Sequence, residues 1–180
     1  MDTKVYTSRY SNSTLLDENI VKVGITRGQP KWDLPYKLSG NIIELAPPGH
    51  LFRETDKEIF TPLFFKYLDK VGKGNIMRLL EQYGYGEVEE MALLCYEDVR
   101  NPHEWCHREV CAEWIKSRLG IHVEELRDPS QSKWEKEEEA RKIKEAKDLA
   151  KKQKAEEKAK KEQEKLEEER KWNEAQVSLF

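Results

Sequence analysis

Two short blocks carry the groups best suited to chemistry. One is Leu-Leu-Cys-Tyr-Glu, with Cys95 and Glu97, and the other is Cys-His-Arg, with Cys106, His107 and Arg108. A thiol beside an imidazole can be a nucleophile with its base, and a thiol at a helix start is easier to ionise, which makes Cys106 with His107 a candidate pair. Neighbours at a helix start need not face each other, so the sequence assigns no reaction. Cys95, His103, Cys106 and His107 are enough ligands for zinc, but their spacing matches no familiar motif, and neither a metal nor a cofactor is expected. Glu97 can serve as a general base or accept from Arg108 or Arg9 in a structural ion pair. Cys111 falls in an apolar stripe and reads as packing. A second set suits an anion. Ser8 and Arg9 close one strand, Arg27 follows another, and Arg108 lies in the first turn of a helix, where unpaired N–H groups favour phosphate or carboxylate. Tyr10, Trp32 and Tyr36 could stack on a base, although loop aromatics more often cover a core edge.

The elements that must position these residues follow from hydrophobic period and punctuation. Lys4 to Thr7 and Ile20 to Ile25 alternate as strands, and Asn41 to Leu45 is a third candidate. Pro and Gly mark the loops at Gly28-Gln29-Pro30, Leu34-Pro35-Tyr36 and Ala46-Pro47-Pro48-Gly49. Asp56 to Val71 reads as a helix with Ile59, Leu63, Tyr67 and Val71 four apart and Gly72 to end it; Asn75 to Tyr83 is a second. Met91 to Tyr96 is a continuous apolar run, the pattern of a strand covered on both faces in a parallel sheet. Glu104 to Leu119 follows as a helix, with Val110, Cys111, Trp114, Ile115 and Leu119 as its stripe, and Ile121 to Val123 as a last strand. This order predicts an α/β class: a three-layer, Rossmann-like domain with a mostly parallel sheet, followed by a long charged single α-helix. In such a fold strand C-termini and helix N-termini meet, which is where Cys95, Glu97, Cys106, Ser8 and Arg27 fall.

Charge divides the chain. Charged residues make up 37% of its 180 residues, against roughly 25% in an average soluble domain. Residues 131–175 hold 15 of the 32 basic and 14 of the 35 acidic side chains, so this stretch is close to neutral and the front part is acidic. Neither is the basic surface that grips a phosphate backbone unaided. The expected organisation is an α/β domain over 1–130, a helical arm or tether over 131–175 and a docking peptide over 176–180. About 130 residues can enclose a core without disulfides or metal. The start lacks a secretory h-region, the longest apolar run is too short for a membrane span, and three cysteines without export signals suit a reducing cytoplasm. In the arm, Ser132 can cap a helix rich in Ala, Lys, Glu and Gln, with acid-before-base pairs four apart such as Glu137/Arg141 and Glu157/Lys161. Its apolar stripe is too thin to sustain a coiled coil, which predicts a solvated single helix.

After the arm the character changes to Gln176-Val177-Ser178-Leu179-Phe180. Burying Leu179 and Phe180 in a pocket would contribute roughly 1.5–3 kcal/mol each, and the Gln176 amide can fix register on a partner's backbone. These five residues resemble the clamp-binding motif of bacterial replication and repair proteins, usually Gln-Leu-Ser/Asp-Leu-Phe, with Val177 in place of a Leu. The resemblance implies docking in the hydrophobic pocket of the bacterial DNA polymerase sliding clamp.

A second resemblance covers roughly residues 4–127. Thr-Ser-Arg-Tyr-Ser-Asn near the start, Val-Gly-Ile-Thr-Arg-Gly-Gln-Pro, Leu-Pro-Tyr, then the paired Leu-Leu-Cys-Tyr-Glu and Cys-His-Arg blocks, in that order, are similar to the domain of unknown function 488 family. The resemblance implies a cytoplasmic bacterial, archaeal or phage α/β protein and no established reaction. Together these readings predict an accessory protein of bacterial or phage DNA replication or repair, whose domain binds or processes a nucleotide or nucleic acid. The alternatives are a non-catalytic adaptor or inhibitor that competes for the clamp, and a small-molecule enzyme unrelated to DNA.

Overall fold

A computed structural model describes residues 2–177, with side chains through Trp172. Five strands form one all-parallel sheet in the order β3-β2-β4-β1-β5: β1 is Lys4–Arg9, β2 Ile20–Gly24, β3 Gly40–Asn41, β4 Glu90–Cys95 and β5 Val123–Glu125. Strand β4 is central because its run Met91 to Cys95 is apolar on both sides, and every one of those residues is buried. It pairs with β1 from Lys4↔Glu90 to Arg9↔Cys95 and with β2 from Ile20↔Glu90 to Gly24↔Leu94.

The connections sort by direction. Those running from β3 to β4 and from β4 to β5 carry α1 (Lys57–Val71), α2 (Lys73–Gln82) and α3 (His107–Leu119). Phe60, Phe64, Leu68, Ile76, Leu80, Val110, Trp114 and Ile115 from these helices pack with Val5, Val23, Met91 and Leu93 of the sheet. The connections from β1 to β2 and from β2 to β3 run the opposite way along the sheet. Their Tyr10, Leu15, Leu34, Tyr36 and Leu38 join Ala92 and Leu94 in a second core cluster. A uniform crossover hand requires this segregation, since reversing direction along a sheet reverses the face crossed. Residues 91 and 93 thus face one layer and 92 and 94 the other, as the period of two dictates.

Local chemistry sets the helix ends. Asp56 caps α1, accepting from the N–H groups of Glu58 and Ile59 at 2.8 and 3.3 Å. Gly120 ends α3 in the left-handed region at φ 72°, where a side chain would be strained. In α1 the buried face is Phe60, Phe64 and Leu68, while Ile59 and Leu63 of the expected stripe are exposed, and three further elements differ from the pattern in the sequence. Asn41 to Leu45 yields only the two-residue β3, followed by a 3-10 turn at Ile43–Leu45. Ile42 and Leu45 are buried while Ile43 is exposed, a period of three that five residues cannot distinguish from a strand. Helix α3 starts at His107 and not at Glu104, because Cys106 is extended and its N–H donates to the Glu109 carboxylate at 2.9 Å. The last strand lies at Val123–Glu125, beyond Ile121, which enters the core.

The compact unit runs to Ser132, and Lys133 begins a second unit, the helix α4 (Lys133–Val177). From Ile143 onward its large apolar side chains face solvent, with Ile143, Leu149 and Leu166 50%, 58% and 67% exposed. Ion pairs stitch its surface, among them Arg141–Glu138 at 2.7 Å, Lys152–Glu156 at 3.9 Å and Lys161–Glu157 at 2.7 Å. Among the described residues no helix is long and apolar enough to cross a membrane. Ser178, Leu179 and Phe180 of the expected docking peptide lie outside the described residues, as do the side chains of Gln176 and Val177.

Candidate functional site

The C-terminal end of β4 is where the two layers part. The chain leaving β1 turns over one face of the sheet and the chain leaving β4 turns over the other, which makes this end a topological switch point. Cys95 is the last residue of β4, locked by hydrogen bonds from Tyr10 N–H to its carbonyl and from Ile25 N–H to the Leu94 carbonyl, both 2.9 Å. Cys106 and His107 arrive from the start of α3, and Glu97 from the turn after β4.

These four side chains converge. The thiols of Cys95 and Cys106 both donate to Glu97 Oε2, at 3.0 and 2.9 Å. His107 Nδ1 lies 3.6 Å from Cys95 Sγ and 3.8 Å from Cys106 Sγ. His107 Nε2 lies 2.9 Å from the Ile25 carbonyl, which can only accept, so Nε2 is protonated in either state of the ring, while Nδ1 turns a lone pair toward the sulfurs when the ring is neutral and donates to them when it is charged. Phe64 packs edge-on against the imidazole. Both thiols are buried, whereas Glu97 is exposed.

Electrostatics separate the two thiols. Burial opposes ionisation of Cys106, but hydrogen bonds from Cys95 and His107, with the imidazole's charge, bring its thiol below the ordinary range. Cys95 is driven up by its hydrogen bond to Cys106, by burial and by the neighbouring negative groups. His107 is raised despite burial, chiefly through Cys106. The groups packed around the Glu97 carboxylate partly desolvate it although the residue reaches solvent, but the two thiol donors outweigh that effect and Glu97 is lowered. Cys111, fully buried in α3, has its thiol pushed up to about 12 by burial, the behaviour of a packing residue.

Two clefts reach this cluster. One of roughly 600 Å³ is lined by Thr26, Arg27, Trp32, Phe52 and Tyr96, with Cys95, Glu97 and His107 at its base. The other, of roughly 390 Å³, passes Phe60, His103 and Trp105 to Cys106. Trp32 and Phe52 are 51% and 65% exposed, and Trp32 meets Tyr96 edge-on with ring centroids 5.8 Å apart. Tyr96 hydroxyl donates to the Gly28 carbonyl at 2.7 Å, fixing the wall beside Arg27. Tyr10 and Tyr36 are inside the fold, with Tyr10 buried against Thr26 and Tyr36 donating to the Tyr10 carbonyl.

The candidate anion-binding residues are dispersed among internal partners. Arg108 is 1% exposed, holds Glu125 through two bonds at 3.0 and 2.8 Å, and donates to the Glu97 carbonyl at 2.6 Å. Arg9 binds Asp128 at 2.7 Å and Asp98 at 3.2 Å. Ser8 is fully buried and accepts from Asn12 at 2.9 Å. Arg27 is exposed at the cleft and donates to the Pro47 carbonyl at 3.1 Å. Among the described residues, the group able to share a metal is Cys95, Cys106 and His107. His103 is not in it.

Two framing residues carried no signal in the sequence. Asn41 bonds both backbone groups of Thr26, its Oδ1 accepting at 3.2 Å and its Nδ2 donating at 2.8 Å, which holds the cleft's rim. Gly24 lies so close that a Cβ would meet Asn41 Oδ1 at 2.5 Å and Tyr10 Oη at 2.6 Å. A glycine closing an apolar strand was the only hint of this close approach. Fold and site define a parallel α/β domain with a thiol, imidazole and carboxylate cluster at its switch point. No family model, curated protein or solved structure matches the chain.

Proposed function

We propose that the chain is an accessory protein of bacterial or phage DNA replication or repair. Its Gln176–Phe180 peptide docks on the DNA polymerase sliding clamp, and its α/β domain binds or processes a nucleotide or nucleic acid. The observation that carries this reading is the pairing of that peptide with α4, a helix whose large apolar side chains from Ile143 to Trp172 are exposed. Its large apolar residues are too sparse for the sustained a and d seam of a coiled coil, and at 1.5 Å per residue its 45 residues span on the order of 70 Å. It suits a tether. The cleft supports the other half: exposed Trp32 and Phe52 offer apolar faces for a base, and Arg27 offers a cation beside them.

The test is the affinity of the full chain for a bacterial sliding clamp, with and without residues 176–180. Docking predicts a micromolar dissociation constant, about −8 kcal/mol, that disappears with the deletion. Equal affinity for the two chains would refute it.

One observation favours the adaptor reading, in which the domain is not catalytic. Of the four candidate anion ligands, Ser8, Arg9 and Arg108 are bound internally. If Arg27→Ala and Cys106→Ser preserve the biological effect while deletion of 176–180 removes it, the adaptor reading holds.

A further inference from the structure

The geometry points to a metal site: Cys95, Cys106 and His107 are three ligands of a zinc-type divalent cation, with Glu97 on the fourth side. The inference is independent of clamp docking and concerns only the domain.

Three donors, Cys95 from the end of β4 and Cys106 and His107 from the start of α3, surround one point. Zinc binds thiolate sulfur at about 2.3 Å and imidazole nitrogen at about 2.0–2.1 Å, so a tetrahedral site separates S from N by about 3.6 Å. The two S···Nδ1 distances are 3.6 and 3.8 Å. A nucleophile with its base needs one sulfur at the imidazole, whereas here both stand at nearly the same distance from one nitrogen. That is the arrangement of ligands around a shared centre. All three ligand atoms lie within 4.8 Å of one another.

The surrounding groups agree. The other ring nitrogen of His107 donates its N–H to the Ile25 carbonyl at 2.9 Å, the kind of bond that fixes the tautomer of a metal-bound histidine. Two thiolates and a neutral imidazole balance a dication, which leaves the negative charge of Glu97 on the exposed side of the site. Soft sulfur with imidazole in a tetrahedral set selects zinc over magnesium or calcium. Glu97 Oε2 touches both sulfurs at 3.0 and 2.9 Å while the residue is exposed, so the fourth side opens toward the clefts. That opening distinguishes the site from a closed structural one and leaves a position for water or a ligand.

The test uses the full chain, reduced and stripped with a chelator, titrated with Co²⁺ and then with competing Zn²⁺. One Co²⁺ per chain, with thiolate-to-cobalt charge-transfer bands and the visible bands of a tetrahedral ion, is expected, and Zn²⁺ should abolish the spectrum. Cys95→Ser and Cys106→Ser should each lose the charge-transfer intensity of one sulfur and weaken binding more than tenfold. Glu97→Gln should weaken it about 10- to 100-fold, as loss of a supporting group does. His103→Ala should change nothing. Absence of stoichiometric binding by the unaltered chain would overturn the site whether or not the variants fold. So would a spectrum unchanged in both serine variants, or one lost in His103→Ala.

Discussion

Around the β4 terminus single residues divide into those that face a possible ligand and those that hold the frame. Cys106 belongs to the first group and Cys111, one helical turn further along α3, to the second. With metal removed, Cys106 should be alkylated by iodoacetamide at neutral pH much faster than Cys111, because its thiol is lowered by Cys95 and His107 while Cys111 is raised by burial. Mass-spectrometric mapping of the labelled cysteine checks this, and equal labelling would contradict it. Glu125 belongs to the frame. Glu125→Ala leaves Arg108 buried with only the Glu97 carbonyl, and should cost about 3 kcal/mol, the low end for breaking a buried pair because Glu125 is partly solvated. The midpoint of urea unfolding reports it, with Glu124→Ala, which removes an exposed partner of His122, expected to shift it far less. Cys95, Glu97, Cys106 and His107 were legible in the sequence as strand-end and helix-start groups. That Glu97 faces the sulfurs was not. Nor were the internal partners of Arg108 and Arg9: Glu125 is 17 residues from Arg108 and Asp128 is 119 from Arg9, and one sequence carries no record of such pairings.

Elements show the same division between local signal and tertiary placement. Strand β4 was legible because six consecutive apolar residues have few other solutions, and α1 because Asp56 and Gly72 punctuate it. Asn41 to Leu45 was not, since strand and 3-10 periods coincide over so short a stretch, and the bond between Asn41 and Thr26 decides it. The turn after β4 is clasped to the segment before α4 by Arg9 and Arg100 acting on Asp98 and Asp128. Asp98, held by Arg100, and Asp128, held by Ser130 and Arg9 against the opposing effect of burial, both lie below the ordinary carboxyl range. A depressed folded-state value means the clasp contributes fully above the unfolded carboxyl pKa of about 3.9 and is lost as pH falls through the lower folded values. Stability should therefore drop below about pH 4. Arg9→Ala should flatten that acid limb, measured by urea unfolding at several pH values, and an unchanged slope would contradict the clasp.

Over the whole molecule the division at Ser132/Lys133 is the consequential feature, and composition revealed it because charge so dense leaves nothing to bury. The compact unit has its own two core clusters, so a chain ending at Ser132 should still fold and unfold in urea as one cooperative transition. Loss of the cooperative transition would show that the domain does not fold without the arm. The central claim is that the peptide at 176–180, and not the charge of the arm, makes the partner contact. The direct measurement is equilibrium binding of the full chain and of a Leu179→Ala/Phe180→Ala variant to a bacterial sliding clamp, at low and high salt. Apolar anchors predict affinity that changes little with salt and falls at least about a hundredfold in the variant, since each side chain contributes roughly 1.5–3 kcal/mol. Equal binding by the two chains, or binding that vanishes with salt in both, would contradict the account.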